Sequence, residues 1–383
     1  MVSFNLRRLL NRDNLFVLVI TAIIIVLILM PTGFEERFPQ STERVRGLVL
    51  EVDNSGVQQF GIVKSGAQGL RVKILDGPFE GLEVNATNPL LGKMELDKFF
   101  KVGDIALVIL DVKGNAIVAA TAFDHYRLNI ELILFVLFAL FLVLFARWTG
   151  AKTLLSFVFT AMMIWKVLLP CFLKNYDPIL VSLGVVTILT TVIMTLIGGI
   201  TKKSLIAFLG AFFGILLTCG LSFIFFPPFQ VHGAVRPFSE TLLYSGFPYL
   251  DLNRLFLAGI FIAASGAVMD MAMDVSASMN EVFQKKPDIS VKELIGSGFA
   301  VGRAVIGTMT TTLLLAYSGG YTAMLMLFIS KGMPMGSVVN INYVAAQILH
   351  TIVGSFGLVT VAPFTAIIGG FIYLKWGGDH GQR

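Results

Sequence analysis

The sequence predicts an α-helical polytopic membrane protein, with about seven to nine transmembrane helices and one small extracytoplasmic β-rich domain. Three observations predict it. Of 383 residues, 56% are hydrophobic and only 14% are charged, against about 25% charged in an average soluble domain. Apolar runs of membrane-spanning length recur from Asn129 almost to the end of the chain, and a span needs roughly 20 apolar residues. Between the first run and the rest lies a stretch of different character, residues 31–127, with 11 Lys/Arg and 13 Asp/Glu.

The first apolar run, Phe16 to Met30, follows Arg7, Arg8 and Arg12. A basic start and an apolar core describe a secretory signal. No small-residue cleavage site follows, since the chain continues Met30-Pro31-Thr32-Gly33, so residues 1–30 are read as a cytoplasmic N-terminus and an uncleaved anchor. Residues 31–127 show short alternating runs at Val45–Val52, Phe60–Val63, Leu70–Leu75, Leu82–Ala86, Ile105–Leu110 and Ala116–Ala120. Turn residues such as Asp76-Gly77-Pro78 and Lys113-Gly114-Asn115 separate them. Five or six short strands in under 100 residues predict a small closed barrel, OB-like, or a sandwich.

Residues 128–383 are the multi-span helical domain. Spans are expected at about Asn129–Phe145, Thr153–Leu173, Ile179–Ile200, Ser204–Phe226, Leu252–Val275 and Gly298–Tyr317. Tyr321–Ser330 is too short to cross alone and follows a Ser318-Gly319-Gly320 break, which predicts a half-helix or re-entrant hairpin. The more polar Asn340–His350 reads as an interfacial helix before a last span at Thr351–Lys375.

Orientation follows the distribution of Lys and Arg. Arg7, Arg8, Arg12, Arg147, Lys152, Lys202, Lys203, Lys285, Lys286, Lys292, Arg303 and Lys331 are assigned to one side. The other side's short loops hold Lys174, Arg236, Arg254 and Lys375. The N-terminus is therefore expected in the cytoplasm and residues 31–127 outside, while the side of the C-terminus depends on how the short run Tyr321–Ser330 is counted and stays open. The basic residues are scattered between apolar runs, so the net charge of +5 is not a nucleic-acid signal.

The strongest chemical feature is the segment from Gly266 through Asp270, Asp274 and Glu281. At about 100° per residue, Asp274 falls about 40° from Asp270 and Glu281 about 20° from it, so three carboxylates share one helix stripe. Gly259, Ala263 and Gly266 extend it, and small residues admit a close neighbour. A carboxylate at a helix centre costs roughly 2.5–3.5 kcal/mol on insertion scales, so Asp270 is expected to face the bundle interior or water. The next span opens with Gly298 and Gly302, a close-packing spacing, with Gly307 further in. Arg303 lies near the depth of Asp274, and Thr308 and Thr310 add hydroxyls at mid-depth. Two readings follow. Asp270, Asp274, Glu281, Arg303, Thr308 and Thr310 line a cation or proton-coupled path, or Asp274 and Arg303 form a structural ion pair that locks two helices. Met269, Met271, Met273 and Met279 are packing filler without a Cys or His nearby, and no metal or cofactor is expected. No catalytic motif is present, and Lys166 beside Trp165 reads as a snorkelling anchor. His232 and His350 stand isolated.

With these residues in view, the chain resembles the YibE/F-like family of bacterial multi-pass membrane proteins. The resemblance rests on Val72-Lys73-Ile74-Leu75-Asp76-Gly77, Val102-Gly103-Asp104, Asp124-His125-Tyr126-Arg127, Ile197-Gly198-Gly199 with Thr201-Lys202-Lys203, Gly266-Ala-Val-Met-Asp270, Gly302-Arg303, Gly307-Thr308-Met309-Thr310 and Gly354-Ser-Phe-Gly357-Leu358. It implies a bacterial cytoplasmic (inner) membrane location and supplies no catalytic or binding residue. The expected partners are the lipid bilayer, a small solute or ion, and a protein that docks on residues 31–127. The leading expectation is a secondary transporter or channel. The other is a non-transporting scaffold or assembly factor.

Overall fold

The computed structural model describes residues 12–37 and 41–375; Arg7 and Arg8 lie outside the described residues. The chain divides into two compact units, Gly33–Phe145 and a helical unit formed by the residues up to Thr32 and from Ala146 onward.

The first unit is a β-barrel. Its strands are β1 (Thr42–Asp53), β2 (Val57–Phe60), β3 (Val63–Ile74), β4 (Glu83–Leu91), β5 (Ile105–Lys113) and β6 (Ala116–His125). The order is β1-β5-β6-β4-β3, and β1 also pairs with β3, so five strands close on themselves while β2 hangs on β3. Closure removes the exposed edges that an open sheet would present. Side chains alternate along each strand: Val45 and Val49 of β1, Leu70, Val72 and Ile74 of β3, and Ala106, Val108 and Leu110 of β5 fill the interior. The run Phe60–Val63 is not a strand of its own. Phe60 pairs with Val63 across a two-residue turn whose Gly61 has φ 60°, a conformation open to glycine.

Two polar devices hold the barrel's loops. Fully buried Gln68 accepts from Phe100 N–H at 2.9 Å and from Asn88 Nδ2 at 2.9 Å, and donates to Asn54 Oδ1 at 2.8 Å. Asn88 Nδ2 also donates to the Lys98 carbonyl at 2.7 Å. The loop between β4 and β5 is thus pinned from inside. At the turn after β3, Asp76 accepts from Arg46 N–H at 2.7 Å and from Arg46 Nε at 2.8 Å. Partial burial pushes the Asp76 carboxyl up, the Arg46 hydrogen bonds and charge pull it down, and the balance lies below the ordinary carboxylate value.

Seven helices are long and apolar enough to cross a membrane among the described residues. They include α1 (Arg12–Leu29) and a 46-residue run, Leu128–Leu173, that joins α2 (Leu128–Met163), a π-turn (Ile164–Leu168) and α3 (Leu169–Leu173). The rest are α4 (Pro178–Gly198), α5 (Lys202–Phe229), α7 (Leu252–Lys285), α8 (Val291–Gly319) and α11 (Asn342–Lys375). Short helices α6 (Ser239–Tyr244), α9 (Thr322–Ser330) and α10 (Met335–Val339) complete the set. The two spans expected at Asn129–Phe145 and Thr153–Leu173 are two helical stretches that meet at a kink, where Arg147 leaves helical geometry (φ 49°, ψ −124°). The π-turn precedes Pro170, whose missing N–H releases one backbone carbonyl. Lys166 has a definite partner there: its Nζ donates to the Met30 carbonyl at 2.7 Å, capping the end of α1.

The helical unit has two ends of different character. At the first, Asp13 of α1 lies beside Gly199, Ser276 Oγ donates to the Lys203 carbonyl at 2.7 Å, and Tyr373 reaches the Ser276 carbonyl at 3.4 Å. Ile295 packs where Gly370 passes. Lys202, Lys203, Lys285, Lys286 and Lys292 belong to the helix termini gathered here, and we call it the basic end. At the far end Arg254 pairs with Asp177, Tyr249 donates to the Leu173 carbonyl, and Asn253 accepts from Gly233 N–H. The helix α11 starts at the far end and finishes at the basic end, which corrects the assignment of Lys375 to the sparsely charged side. The Asn340–His350 segment is likewise no separate interfacial helix, because α11 runs unbroken from Asn342. Both α8 and α11 meet at the far end through Tyr317 and His350, so the segment joining them leaves and returns there. Its longest helix, α9, spans nine residues, roughly 14 Å. Lys331, which follows it, therefore does not reach the basic end.

Glycines and alanines set the packing of α5, α7, α8 and α11. A Cβ on Gly302 would lie 2.6 Å from Ala362 Cβ, and one on Gly298 would lie 2.7 Å from Ala366 Cβ and 2.8 Å from the Met279 sulfur. Gly214 sits between Val268 and Val361, and Gly354 against Ala264. Small residues at helix crossings bring the backbones close enough for dispersion contacts to hold them.

Candidate functional site

The buried face of α7 is continuous: Phe261, Ala264, Val268, Met271, Ala272, Val275 and Met279 are all buried. The stripe with Ala263, Gly266, Asp270, Asp274 and Glu281 lies opposite and is exposed, with Gly259 half-buried. Helical arithmetic thus grouped these residues correctly, but the stripe faces away from the core of the helical unit. A Cβ on Gly266 would meet nothing within 4 Å, so Gly266 is not a helix-packing glycine here. The same holds for Gly307 on α8. Gly298 and Gly302 are packing glycines as expected, and α11 is a main partner.

The buried Asp274–Arg303 pair is not formed. Arg303 is exposed, and no ion pair or hydrogen bond joins it to Asp274 among the described residues. Gly302 lies beside Val275, so the expected depth is right. The direction is wrong, because Arg303 sits one residue, about 100°, round the helix from the packed glycine. Thr308 donates to the Val305 carbonyl at 3.0 Å and Thr310 to the Ile306 carbonyl at 2.8 Å. Their hydroxyls are satisfied within α8 itself. Thr310 lines a shallow groove with Leu314, Thr351 and Ser355, and no hydrogen bond links it to the carboxylates.

Asp270 stands six residues before Ser276, roughly 9 Å from the level of the basic end. Asp274 is closer to that end, and Glu281 lies beyond it. None of the three makes a hydrogen bond or ion pair among the described residues. In lipid such an arrangement is costly.

At the far end, the same stripe enters a cavity of about 420 Å³. Gly259, Ala263, Leu252, Leu255 and Phe256 of α7 form one wall, with Gly233, Arg236 and Ser239 above and Tyr317 of α8 and His350 of α11 opposite. Volumes of about 300–1,000 Å³ are typical of small-molecule sites. The Arg236 guanidinium lies 5.2 Å from the Phe256 ring centre, and its Nη1 donates to Tyr321 Oη at 3.2 Å. Tyr317 and His350 rings meet edge to face at 4.7 Å. His350, only 4% exposed, approaches the Gly259 carbonyl through Nε2 at 3.3 Å. Tyr317 Oη and His350 Nδ1 are both buried without a hydrogen-bond partner. Buried polar atoms are rarely left so, and such atoms are met by water or by a ligand.

Sequence reading missed this cavity. His350 stands alone in the sequence because its neighbours Gly259, Arg236 and Tyr317 come from three other segments. The available signal was the polarity of Asn340–His350, set against an otherwise apolar run.

No curated protein and no solved structure matches the chain. A family model described as YibE/F-like protein matches residues 134–375. The segments around Val72, Val102 and Asp124 that also carried the resemblance precede the matched range. The match takes in the carboxylate helix and all the packing glycines of the helical unit, and it covers more than half of the chain: this protein belongs to the YibE/F-like family.

Proposed function

We propose that this protein is a membrane transporter or channel, not an enzyme, whose path runs along the exposed stripe of α7. The observation that carries the reading is the continuity of that stripe. One half, Gly259 and Ala263, forms a wall of the far-end cavity, and the other half, Gly266, Asp270 and Asp274, presents exposed carboxylates on a helix of membrane-spanning length, without a counter-charge among the described residues. A face with that chemistry is stable against water or a polar solute and costly against lipid tails. The basic end faces the cytoplasm of a bacterial cell and the barrel lies outside, in keeping with the distribution of Lys and Arg. The solute enters at Arg236, passes Gly266, and meets Asp270 before the basic end.

The test is flux through purified protein in liposomes, followed with a pH-sensitive dye and with ion-selective electrodes under imposed gradients. Asp270→Asn is expected to cut the flux by at least about tenfold. Its melting temperature should stay within about 2 °C of the parent, because Asp270 holds no other residue in place. A folded D270N protein with every flux intact sinks the reading, and so does a parent protein that carries none.

A second reading, a scaffold with the barrel as its docking module, has its own support. Phe60, Ile62, Leu91 and Met94 are 65–80% exposed around the β2–β3 turn and the end of β4. An exposed apolar group of this size is a common feature of interaction sites. Photocrosslinking from position 62 in native membranes should then capture one defined protein. If it captures none, and deletion of residues 31–127 leaves the cellular phenotype unchanged, the scaffold reading fails.

A further inference from the structure

We infer that the far-end cavity binds a small oxyanion that also carries an O–H group, such as a 2-hydroxy carboxylate or a protonated phosphate. This rests on the transport reading and deepens it by naming a solute class for the mouth of the path: Asp270 and Asp274 repel a bare anion, so the oxyanion passes them only together with protons that neutralise those carboxylates; binding is measured without flux, so either can fail alone.

The charge requirement comes from Arg236. It is half-buried, sits against Phe256 and spends one N–H on Tyr321, and no carboxylate pairs with it among the described residues. A guanidinium offers five N–H donors in a planar fork and favours carboxylate or phosphate oxygens over spherical anions.

The O–H requirement comes from His350. A carbonyl only accepts, so the approach of Nε2 to the Gly259 carbonyl puts the ring proton on Nε2. The neutral ring then presents Nδ1 as a lone pair, buried and without a partner. An acceptor in that position is satisfied by a donor, which a ligand O–H supplies in place of water. Tyr317 Oη, equally unpartnered, can donate to the anion or accept from it. Arg236, Tyr317 and His350 thus demand negative charge and one hydrogen-bond donor in the same small molecule. Phe256, Leu252 and Leu255 leave an apolar wall for a short carbon stem. A site that hydrogen-bonds a hydroxyl discriminates strongly against an analogue lacking it, because its own polar groups are then left unpaired.

The test is calorimetric titration of the full-length protein in detergent with L-lactate, propionate, inorganic phosphate and chloride. Lactate or phosphate should bind at least about tenfold more tightly than propionate and chloride. Which of the two binds identifies the source of the oxyanion. Arg236→Gln should weaken that binding by about tenfold or more. His350→Phe, which keeps a ring in place, should bring lactate and propionate to within about threefold of each other. Tyr317→Phe reports on the same cavity from a different helix and should weaken whichever probe binds, should either other variant fail to fold. If neither lactate nor phosphate binds the parent protein, if lactate and propionate bind it equally and phosphate does not bind, or if the folded variants bind as the parent does, the inference is wrong.

Discussion

Gly302 and Gly266 lie on neighbouring helices and share a reading from sequence, yet their surroundings are opposite. A methyl on Gly302 meets Ala362 at 2.6 Å, while one on Gly266 meets nothing within 4 Å. Gly302→Ala should therefore destabilise the helical unit by about 1–3 kcal/mol, the usual cost of overpacking. Gly266→Ala should change stability by less than about 0.5 kcal/mol or raise it slightly, since alanine favours the helix. Thermal unfolding in detergent reads both. Equal losses at the two positions would mean that another helix covers the stripe. The same contrast explains what was legible at this scale. Residue spacing placed Asp270, Asp274 and Glu281 on one stripe, because helical angle depends on sequence alone. It did not say that the stripe faces outward, because a helix apolar on nearly every side carries no sign of which side is core.

Among the elements, strands were the most legible. Alternation located all five barrel strands, since Val45, Val49, Leu70 and Val72 mark the inward positions. The strand count left a closed barrel and a sandwich both open, and the choice between them was not legible, because it depends on β1 pairing with both β3 and β5. Nor was the role of Gln68, a polar residue in an otherwise apolar interior. Gln68→Leu would leave Phe100 N–H without its acceptor and strip Asn88 Nδ2 of one of its two, at a cost of about 1–3 kcal/mol. Hydrogen exchange should show the loop of residues 93–104 opening first, with the helical unit unchanged. Uniform exchange across the barrel would contradict the pinning role. The long helices were legible, and so was the break near Arg147, which falls between two expected spans. The short α6 and α10 and the unbroken start of α11 were not, because they depend on contacts that composition does not encode.

For the whole molecule, two ends emerge from contacts made by residues far apart in sequence. The basic end gathers α1, α4, α5, α7, α8 and α11, and the far end gathers the cavity of Arg236, Tyr317 and His350. The side on which the last helix finishes was not readable from the sequence, because the segment around α9 is too short to be counted as a span and too apolar to be dismissed. It became readable once Tyr317 and His350 were seen to meet. The central claim is that the exposed stripe of α7 is wet. Its most direct test is single-cysteine labelling in native membranes, at Ala263→Cys and Gly266→Cys, with Cys171 and Cys219 replaced by serine. A membrane-impermeant charged thiol reagent should modify both positions from the side opposite the basic end, and lactate or phosphate should slow the reaction at position 263. Modification by a lipid-soluble reagent alone, with the charged reagent inert at both sites, would place the stripe in lipid and contradict the account.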